Sequence, residues 1–593
     1  MMLAMKQALP RVKRLLAGGL LLTLSLPAAA YRVEIDAPGP LKNLLQQFLD
    51  LARYEDRKDL TGDHLDFMVA RTPDQVARLA ATEGFFSTST KVDVQQEGGE
   101  TVVRVRVTPG ARTAVSEVRV EVEGPAAERS PEQVEQVRES WPLTQGDPFR
   151  QAEWASAKQR GLQILQRRRY AAAEIAESEA RIDADRNTAG LSVTYDSGPV
   201  FTFGEARISG NSRYPESIVR NVNPLRPGEE YSADRLLEFQ RQILRTPYFS
   251  NAVVDIEEDR ARSHLAPVNV SVTEYPEQRV RAGVGYTTDT GARVDGRYTH
   301  HNLFGRAWVL DTHVNVEQRR QLGALDLAMP PGRNAFVNSG HLSYERSTLE
   351  GVRLLSRRAG VRRTRNTDQR DLSYSLEYYR DTLTQISGAP VPADVVVLPG
   401  AHEALVAGIA KTRRQVDNPA FPRKGRIVTL QAGIAVKGLL TDQTFLRGYG
   451  RLREYLPVGD RDVVVLRAEA GAIISKGGNA AIPASLMFRA GGTDSVRGYA
   501  FQSIGNERDG TVYPTRFLAT GSVEYQRWFL EQWGGAVFYD VGMASDRWSE
   551  RELFHAVGIG ARWRSPVGRV NVDLAYGLRE GTIRPHLSLG VAF

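Results

Sequence analysis

The stretch WVLDTHVNV, residues 308–316, alternates apolar and polar side chains. Successive residues of a strand point to opposite faces, so an extended chain sorts them into two sets. One set comprises Trp308, Leu310, Thr312, Val314 and Val316, and the other comprises Val309, Asp311, His313 and Asn315. Similar alternation recurs at 428–436 and 587–593. Such segments of about ten residues predict an antiparallel transmembrane β-barrel. A soluble β-sandwich is the alternative, although its strands rarely alternate so persistently.

The first thirty residues predict a cleaved secretory signal. Lys6, Arg11, Lys13 and Arg14 precede the apolar run LLAGGLLLTLSLP, and three alanines follow at 28–30. A basic start, a short apolar run and a small-residue cleavage site are typical of such signals. The run is too short to span a bilayer comfortably, so an N-terminal membrane anchor is the weaker alternative.

Composition argues against several classes of protein. The 593 residues include no cysteine and carry a formal net charge of +7, with acids and bases interspersed. Disulfides and thiolate metal sites therefore do not form, and no basic stripe for nucleic acid is evident. The nine histidines show no metal-binding spacing, and no nucleophile elbow is present. We expect no enzyme, no metal site and no cofactor.

Residues 31–275 contain a pattern that occurs three times at a spacing of about eighty residues. Each copy has an alternating strand, two helical stretches and two further alternating strands. Phe86, Tyr170 and Phe249 mark the end of the second helical stretch in the three copies. Each copy predicts a small sheet covered on one face by helices. Its exposed strand edges serve either as binding surfaces for another chain's strand or only as spacers.

The repeated unit resembles the POTRA module of bacterial outer-membrane assembly proteins. The third copy, with Gly210 in SGN, matches best, and the first copy lacks that element. In the second half, VDNPAFPRKG at 416–425, VRGY at 496–499, FYDVG at 538–542 and the segment GIGARWRSPVGRVNVDLAYGL from Gly558 resemble, in order, segments of the BamA superfamily. Three modules favour the TamA family within it, the barrel subunits of the translocation and assembly module.

The resemblance implies a multidomain chain of three small α+β POTRA-like modules followed by a sixteen-stranded transmembrane antiparallel β-barrel. The implied domains are a signal peptide at 1–30, modules at 31–111, 112–198 and 199–276, and the barrel at 277–593.

The glycine-rich stretch RAGGTDSVRGYAFQS, residues 489–503, lacks the pattern of a phosphate-binding loop. The resemblance instead assigns its Val496, Arg497, Gly498 and Tyr499 to a loop that folds back into the barrel. An arginine fork can pair with an inward-facing carboxylate there. The resemblance points to Asp540 as that partner, and a second candidate is Glu524. Whether this pair is a static latch or part of a moving gate stays open.

The resemblance also implies a lateral seam between the first and last barrel strands. Its residues are Val280, Ala282, Val284 and Tyr286 on the first strand, and Leu587, Leu589, Gly590, Val591 and Phe593 on the last. A glycine inside a strand weakens pairing, and a weak seam offers backbone groups to an incoming strand. By the same resemblance, Phe593 signals the protein's own assembly, and its deletion is expected to lower the amount of folded barrel.

As a function, the resemblance implies an outer-membrane assembly factor with its modules in the periplasm. Its partners would be an inner-membrane-anchored TamB-like protein, client autotransporters or other barrel proteins, and outer-membrane lipid. The alternatives are an exporter or pore that conducts a polypeptide through the lumen, and a role in lipid transport between the membranes.

Overall fold

The computed structural model describes residues 31–592 apart from 56, 58–61, 99, 387–391, 393–394, 478–479 and 566–567. The predicted signal peptide at 1–30 and the terminal Phe593 lie outside the described residues. No helix within the described ranges is long and apolar enough to cross a membrane. The chain divides into two compact units, at residues 1–201 and 202–593.

The first unit contains two modules with the same strand pairing. Module 1 comprises β1 (Arg32–Asp36), α1 (Gly39–Phe48), α2 (Asp50–Arg53), α3 (Gly62–Thr82), β2 (Ser89–Glu97) and β3 (Glu100–Thr108). Module 2 comprises β4 (Ala114–Glu123), α4 (Pro125–Arg129), α5 (Pro131–Glu139), α6 (Gln151–Gln166), β5 (Glu174–Asp183) and β6 (Thr188–Asp196). In each sheet the first strand is parallel to the third, and the second is antiparallel to it. Alternate apolar positions, such as Val103 and Val105, bury one face of the sheet under helices.

The second unit begins with a third module. It comprises β7 (Phe203–Ser209), α7 (Ser217–Val222), α8 (Ala233–Arg245), β8 (Phe249–Ile256) and β9 (Ala266–Glu274), paired as in the first two. This module contacts turns of the barrel. The Tyr248 hydroxyl donates to the carbonyl oxygen of Ala307 at 2.6 Å, and both Arg241 and Arg245 pair with Asp368. These turns therefore mark the module-facing end of the barrel.

The barrel has sixteen antiparallel strands, and β10 closes on β27. The first eleven are β10 (Gln278–Thr287), β11 (Gly291–Leu303), β12 (Trp308–Glu317), β13 (Arg320–Ala328), β14 (Val337–Leu349), β15 (Val352–Asn366), β16 (Arg370–Gln385), β17 (Gly400–Val416), β18 (Gly425–Ala435), β19 (Phe445–Val458) and β20 (Asp462–Ser475). A loop holding the short β21 (Asn506–Arg508) and β22 (Thr511–Tyr513) follows. The last five are β23 (Phe517–Trp528), β24 (Trp533–Ser545), β25 (Phe554–Ser565), β26 (Gly568–Gly577) and β27 (Thr582–Ala592).

The alternation along 308–316 produces the expected two faces of β12. Val314 and Val316 are 50% and 51% exposed on the outer surface, whereas Asn315 and Glu317 are buried on the lumen side. The predicted fold class, three α+β modules and a sixteen-stranded antiparallel barrel, is confirmed. The segment predicted as a turn at 416–425 joins β17 to β18.

The connection from β20 to β23, residues 476–516, folds back into the barrel and is here called the lid loop. Its Phe488, Val496 and Tyr499 are buried in an apolar cluster that also includes Val397 from the connection between β16 and β17. The loop is therefore held by apolar packing as well as by the polar contacts that the sequence suggests.

Candidate functional site

Arg497 of the lid loop binds Asp540 of β24 through both arms of its guanidinium group. Nε donates to Asp540 Oδ2 at 2.8 Å, and Nη2 donates to Oδ1 at 2.9 Å. The backbone N–H of Arg497 also donates to Oδ2, at 3.1 Å. Arg497 is 2% exposed and Asp540 is fully buried. The structure thus brings together the two residues that the resemblance paired, in a two-armed geometry that favours a charge-assisted contact.

Two further carboxylates accept hydrogen bonds from the same arginine. Arg497 Nη1 lies 2.6 Å from Glu524 Oε2 on β23 and 3.1 Å from Asp573 Oδ2 on β26. Arg562 of β25 approaches the same two carboxylates from the other side, with Nη2 at 2.8 Å from Glu524 and Nη1 at 2.5 Å from Asp573. Arg467 of β20 lies 3.5 Å from Asp540. We call these six residues the lumen charge network.

Three positive and three negative charges balance within this network, which is what permits burial of so many ionised groups. Burial alone lowers the pKa of Arg497, but the hydrogen bonds and charge of Asp540, with the charges of Glu524 and Asp573, raise it above its ordinary value. The guanidinium carbon also lies 3.3 Å from the centre of the Phe538 ring. The lid loop is therefore fixed to three strands of the barrel wall, β23, β24 and β26, through one side chain.

Strand register explains why these charges meet, and it explains why sequence reasoning missed half of them. Asp573 is opposite Gly560 in β25, and a Cβ at Gly560 would lie 1.9 Å from the Asp573 carboxylate. Gly560 therefore makes room for the contact between Arg562 and Asp573. One sequence pattern could have identified Asp573. It is a charged residue between the apolar Val572 and Leu574, so it lies on the opposite face of the strand from those two residues.

The residues that follow Arg497 extend the docking contact to the last strand. The Gly498 N–H donates to His586 Nε2 on β27 at 2.9 Å, and the Tyr499 hydroxyl donates to the His555 carbonyl oxygen at 2.9 Å. Val496 is fully buried against Gly542, where a Cβ would lie 2.5 Å from a Val496 methyl carbon. His586 was not among the residues singled out from the sequence. The whole VRGY segment thus lies against the barrel wall.

Gly498 is a position where a side chain is expected to undock the loop. Its φ is +91°, and a Cβ would lie 2.9 Å from the Gly577 backbone nitrogen and 3.1 Å from Ala556 Cβ. We expect Gly498→Ala to cost about 1–3 kcal/mol and to increase protease cleavage within the loop. Gly510→Ala is the matched control, because its φ is +69° but an added Cβ meets no atom within 4 Å. Equal cleavage in the two variants would show that contact with the wall is not what Gly498 provides.

The lid loop also contacts both sides of the seam. Thr493 donates through its N–H to Asp289 Oδ2 at 3.3 Å and lies, through Oγ1, 3.3 Å from His586 Nδ1. Asp289 follows β10, and His586 belongs to β27. The loop therefore connects the first and last strands from inside the barrel.

The seam itself is short. Among the described residues, β10 and β27 pair at five positions, from Gly283 opposite Ala592 to Thr287 opposite Ser588, whereas β10 and β11 pair at ten. Val284 is opposite Val591, and Tyr286 is opposite Leu589. Gly590 is opposite Gly285, so two glycines face each other in the middle of the seam.

The remaining predicted seam residues lie outside these five paired positions. Leu587 continues the seam, because its carbonyl oxygen accepts from the Thr288 N–H at 3.0 Å. Val280 and Ala282 pair only with β11 within the described part of the chain. Phe593 lies outside the described residues.

Comparison with known proteins finds family models that match both parts of the chain. Residues 302–587 match the family model of the Omp85 superfamily domain, and residues 201–275 match that of POTRA, the surface antigen variable number repeat. The outer membrane protein assembly factor BamA of Nitratidesulfovibrio vulgaris is 24% identical over 392 residues, which cover 63% of this chain and 48% of that protein. BamA of Neorickettsia risticii is 26% identical over 399 residues, covering 63% and 52%. The chain spans about half the length of these curated relatives.

A solved structure shares the fold. The crystal structure of BamA from Haemophilus ducreyi lacking POTRA domains 1-3 superposes with a TM-score of 0.58 at 16% identity. The match covers 81% of this chain and 100% of that one.

Proposed function

Because the chain carries an Omp85 superfamily domain behind a POTRA repeat, we propose that it assembles other outer-membrane proteins by pairing their strands at its seam. The barrel lies in the outer membrane, and the modules lie in the periplasm. The observation that carries the proposal is the five-position pairing between β10 and β27, with Gly285 opposite Gly590.

A short seam matters because of the surroundings of the barrel. An unpaired backbone group in hydrocarbon costs several kcal/mol, so barrel strands normally pair along their length. A client strand that pairs with β10 or β27 replaces the few backbone hydrogen bonds that are lost on opening. The exchange makes and breaks no covalent bond and needs no cofactor, and the client can then move sideways into lipid.

The lid loop has a positioning role in this proposal. The lumen charge network fixes the loop, and the contacts of Thr493 and Gly498 with His586 hold β27 from inside. Movement of the loop would therefore release the last strand. The contacts between the loop and β27 favour a gate in its closed state over a latch that is independent of the seam.

Within the superfamily, we propose that the chain is of the TamA type. The three modules support this assignment, and so does the order of the motifs from 416 to 578. Its clients would then be autotransporters and other barrel proteins, and its partner a TamB-like protein anchored in the inner membrane. The strands β2, β5 and β8 each form one edge of their sheets in the described structure, so each can accept a strand from that partner.

Reconstitution separates this function from passage through the lumen. The full chain in liposomes is expected to accelerate the folding of an added autotransporter barrel, measured by its resistance to protease, relative to empty liposomes. A variant that lacks the lid loop tests the exporter alternative. An exporter without this loop would show a large stable conductance and would release a polypeptide into the liposome interior. Release of soluble polypeptide without membrane insertion would overturn the assembly function.

A proline scan tests whether the modules bind a partner. Proline removes one backbone donor and is tolerated at sheet edges, so it blocks strand addition at small cost to the module. We expect at least one substitution in β2, β5 or β8 to reduce co-purification of the TamB-like partner by about tenfold. Serine at the same positions is the matched control, because it keeps the donor. Unchanged co-purification throughout the scan would favour modules that act as spacers.

A further inference from the structure

Four exposed arginines lie together on the outer surface of β14, β15 and β16. They are Arg346, Arg353, Arg357 and Arg380. Arg357 is directly opposite Arg380, and Arg346 is opposite Leu355, which makes Arg346 diagonal to both Arg353 and Arg357. Opposed side chains have Cβ atoms about 4.5–5.5 Å apart, and diagonal ones about 7–8 Å. We call this cluster the arginine patch.

The arginine patch carries more positive charge than its described neighbours neutralise. None of its members forms an ion pair with an acidic side chain in the described part of the chain. Glu403 is opposite Arg380, and its Oε2 accepts the hydrogen bond of the Tyr378 hydroxyl at 2.5 Å, so one carboxylate adjoins the four guanidinium groups. Like charges directly opposed on paired strands destabilise a sheet. An anion from outside the chain would remove that repulsion between Arg357 and Arg380.

The position of the patch identifies the side of the membrane. The third module contacts the barrel at Ala307 and Asp368, which places the periplasmic end at the turns that contain them. Strand β15 runs from Val352 at the opposite end to Asn366 near Asp368. Arg353 and Arg357 belong to the half of β15 that begins at Val352, so the patch lies on the side of the outer leaflet.

An apolar groove of about 570 Å³ begins beside Arg357 on the same surface. Its floor contains Gly323 and Ala359, and its walls include Leu325, Leu342 and Tyr344. The register places Ala359 opposite Leu342, and Leu342 opposite Leu325, on the periplasmic side of Arg357. The groove therefore extends from the charged patch toward the middle of the bilayer.

We propose that the arginine patch and this groove together bind one phosphate-bearing lipid of the outer leaflet. Guanidinium groups match phosphate oxygens in a two-armed geometry, so the opposed Arg357 and Arg380 can share one phosphate. The small floor residues let an acyl chain lie against the barrel between Leu342 and Tyr344, where apolar surface is buried. This site lies on strands other than those of the seam and does not depend on strand exchange there.

Native mass spectrometry of the full chain in detergent, titrated with diphosphoryl lipid A, tests the proposal. We expect one tightly retained lipid, and we expect replacement of the four arginines by glutamine to lower its affinity by about tenfold or more. Gly323→Leu is expected to weaken binding several-fold by filling the groove, and its added Cβ meets no atom within 4 Å. The matched control replaces Arg363 and Arg365, which are exposed near the periplasmic end of β15, by glutamine.

Each outcome bears on the proposal, provided that the variants keep a folded, heat-modifiable barrel. Loss in the four-arginine and Gly323→Leu variants, with retention in the control, would support a lipid site. Displacement of the lipid by inorganic phosphate, without an effect of Gly323→Leu, would reduce the patch to a site for free anions and overturn the lipid assignment. Equal retention in all variants would refute a specific site. Client folding in liposomes is measured in a separate experiment. A negative result for lipid binding would therefore not count against strand exchange at the seam.

Discussion

Arg497→Ala is expected to release the lid loop from the barrel wall and to destabilise the docked state by about 3–5 kcal/mol. The reason is that Asp540, which is fully buried, would keep only the more distant Arg467, while Glu524 and Asp573 would keep only Arg562 as a cationic partner. Limited proteolysis of the folded, membrane-embedded protein should detect the release as cleavage within 476–516. Arg508→Ala is the matched control, since Arg508 is exposed on the same loop.

Exchange of the two charges is not expected to restore docking. An aspartate at 497 would face Glu524 and Asp573, and an arginine at 540 would face Arg467. Arg497→Lys should give an intermediate result, because an ammonium group keeps the charge but not the two-armed contact. Protease access that is unchanged in Arg497→Ala would contradict the assignment of the lumen charge network as the anchor of the loop.

A disulfide across the seam is expected to lower client insertion by about tenfold or more, to the level of liposomes without the protein, because a locked β27 cannot yield its backbone groups. Cysteines at Val284 and Val591 are the pair of choice, since these residues are directly opposite. Directly opposed strand positions fall within the Cα separation that a disulfide spans. The chain has no other cysteine, so the introduced pair is the only thiol pair present.

The matched control combines Val284→Cys with a second cysteine on β11, the other neighbour of β10. Val284 is also directly opposite Val294 on β11, and a disulfide there leaves the seam free to open. Insertion should therefore be normal with the Val284–Val294 pair, and a reductant should restore insertion in the Val284–Val591 pair. Full client insertion with the seam quantitatively locked would refute strand exchange between β10 and β27. It would favour passage of the client through the lumen instead.

Local patterns in the sequence were sufficient to predict the architecture of modules followed by a barrel. Period-2 alternation depends only on where successive side chains point, so Val314 and Val316 could be assigned to one face without knowledge of neighbouring strands. The three repeated units were visible for the same reason, because each contains its own strands and helices close together in sequence. The count of sixteen strands came from the resemblance, since alternation is ambiguous about where one strand ends.

Only part of the candidate site could be predicted from the sequence. Arg497, Asp540 and Glu524 were identified through motifs with a family resemblance, but Asp573, Arg562 and His586 belong to strands whose register no local pattern specifies. A shift of one residue in strand pairing sends every side chain to the opposite face, so register is determined by the whole closed barrel.

Local sequence patterns specify whether each segment is helical or extended, which strand face is apolar, and which loop carries a motif. The folded chain alone shows that three carboxylates converge on Arg497, that Gly285 faces Gly590, and that four arginines cluster outside the barrel. The difference lies in the distance along the chain over which each interaction acts. Alternation and turn preferences act between near neighbours, whereas ion pairs and strand register join residues far apart in sequence, and closure of the barrel fixes those distances.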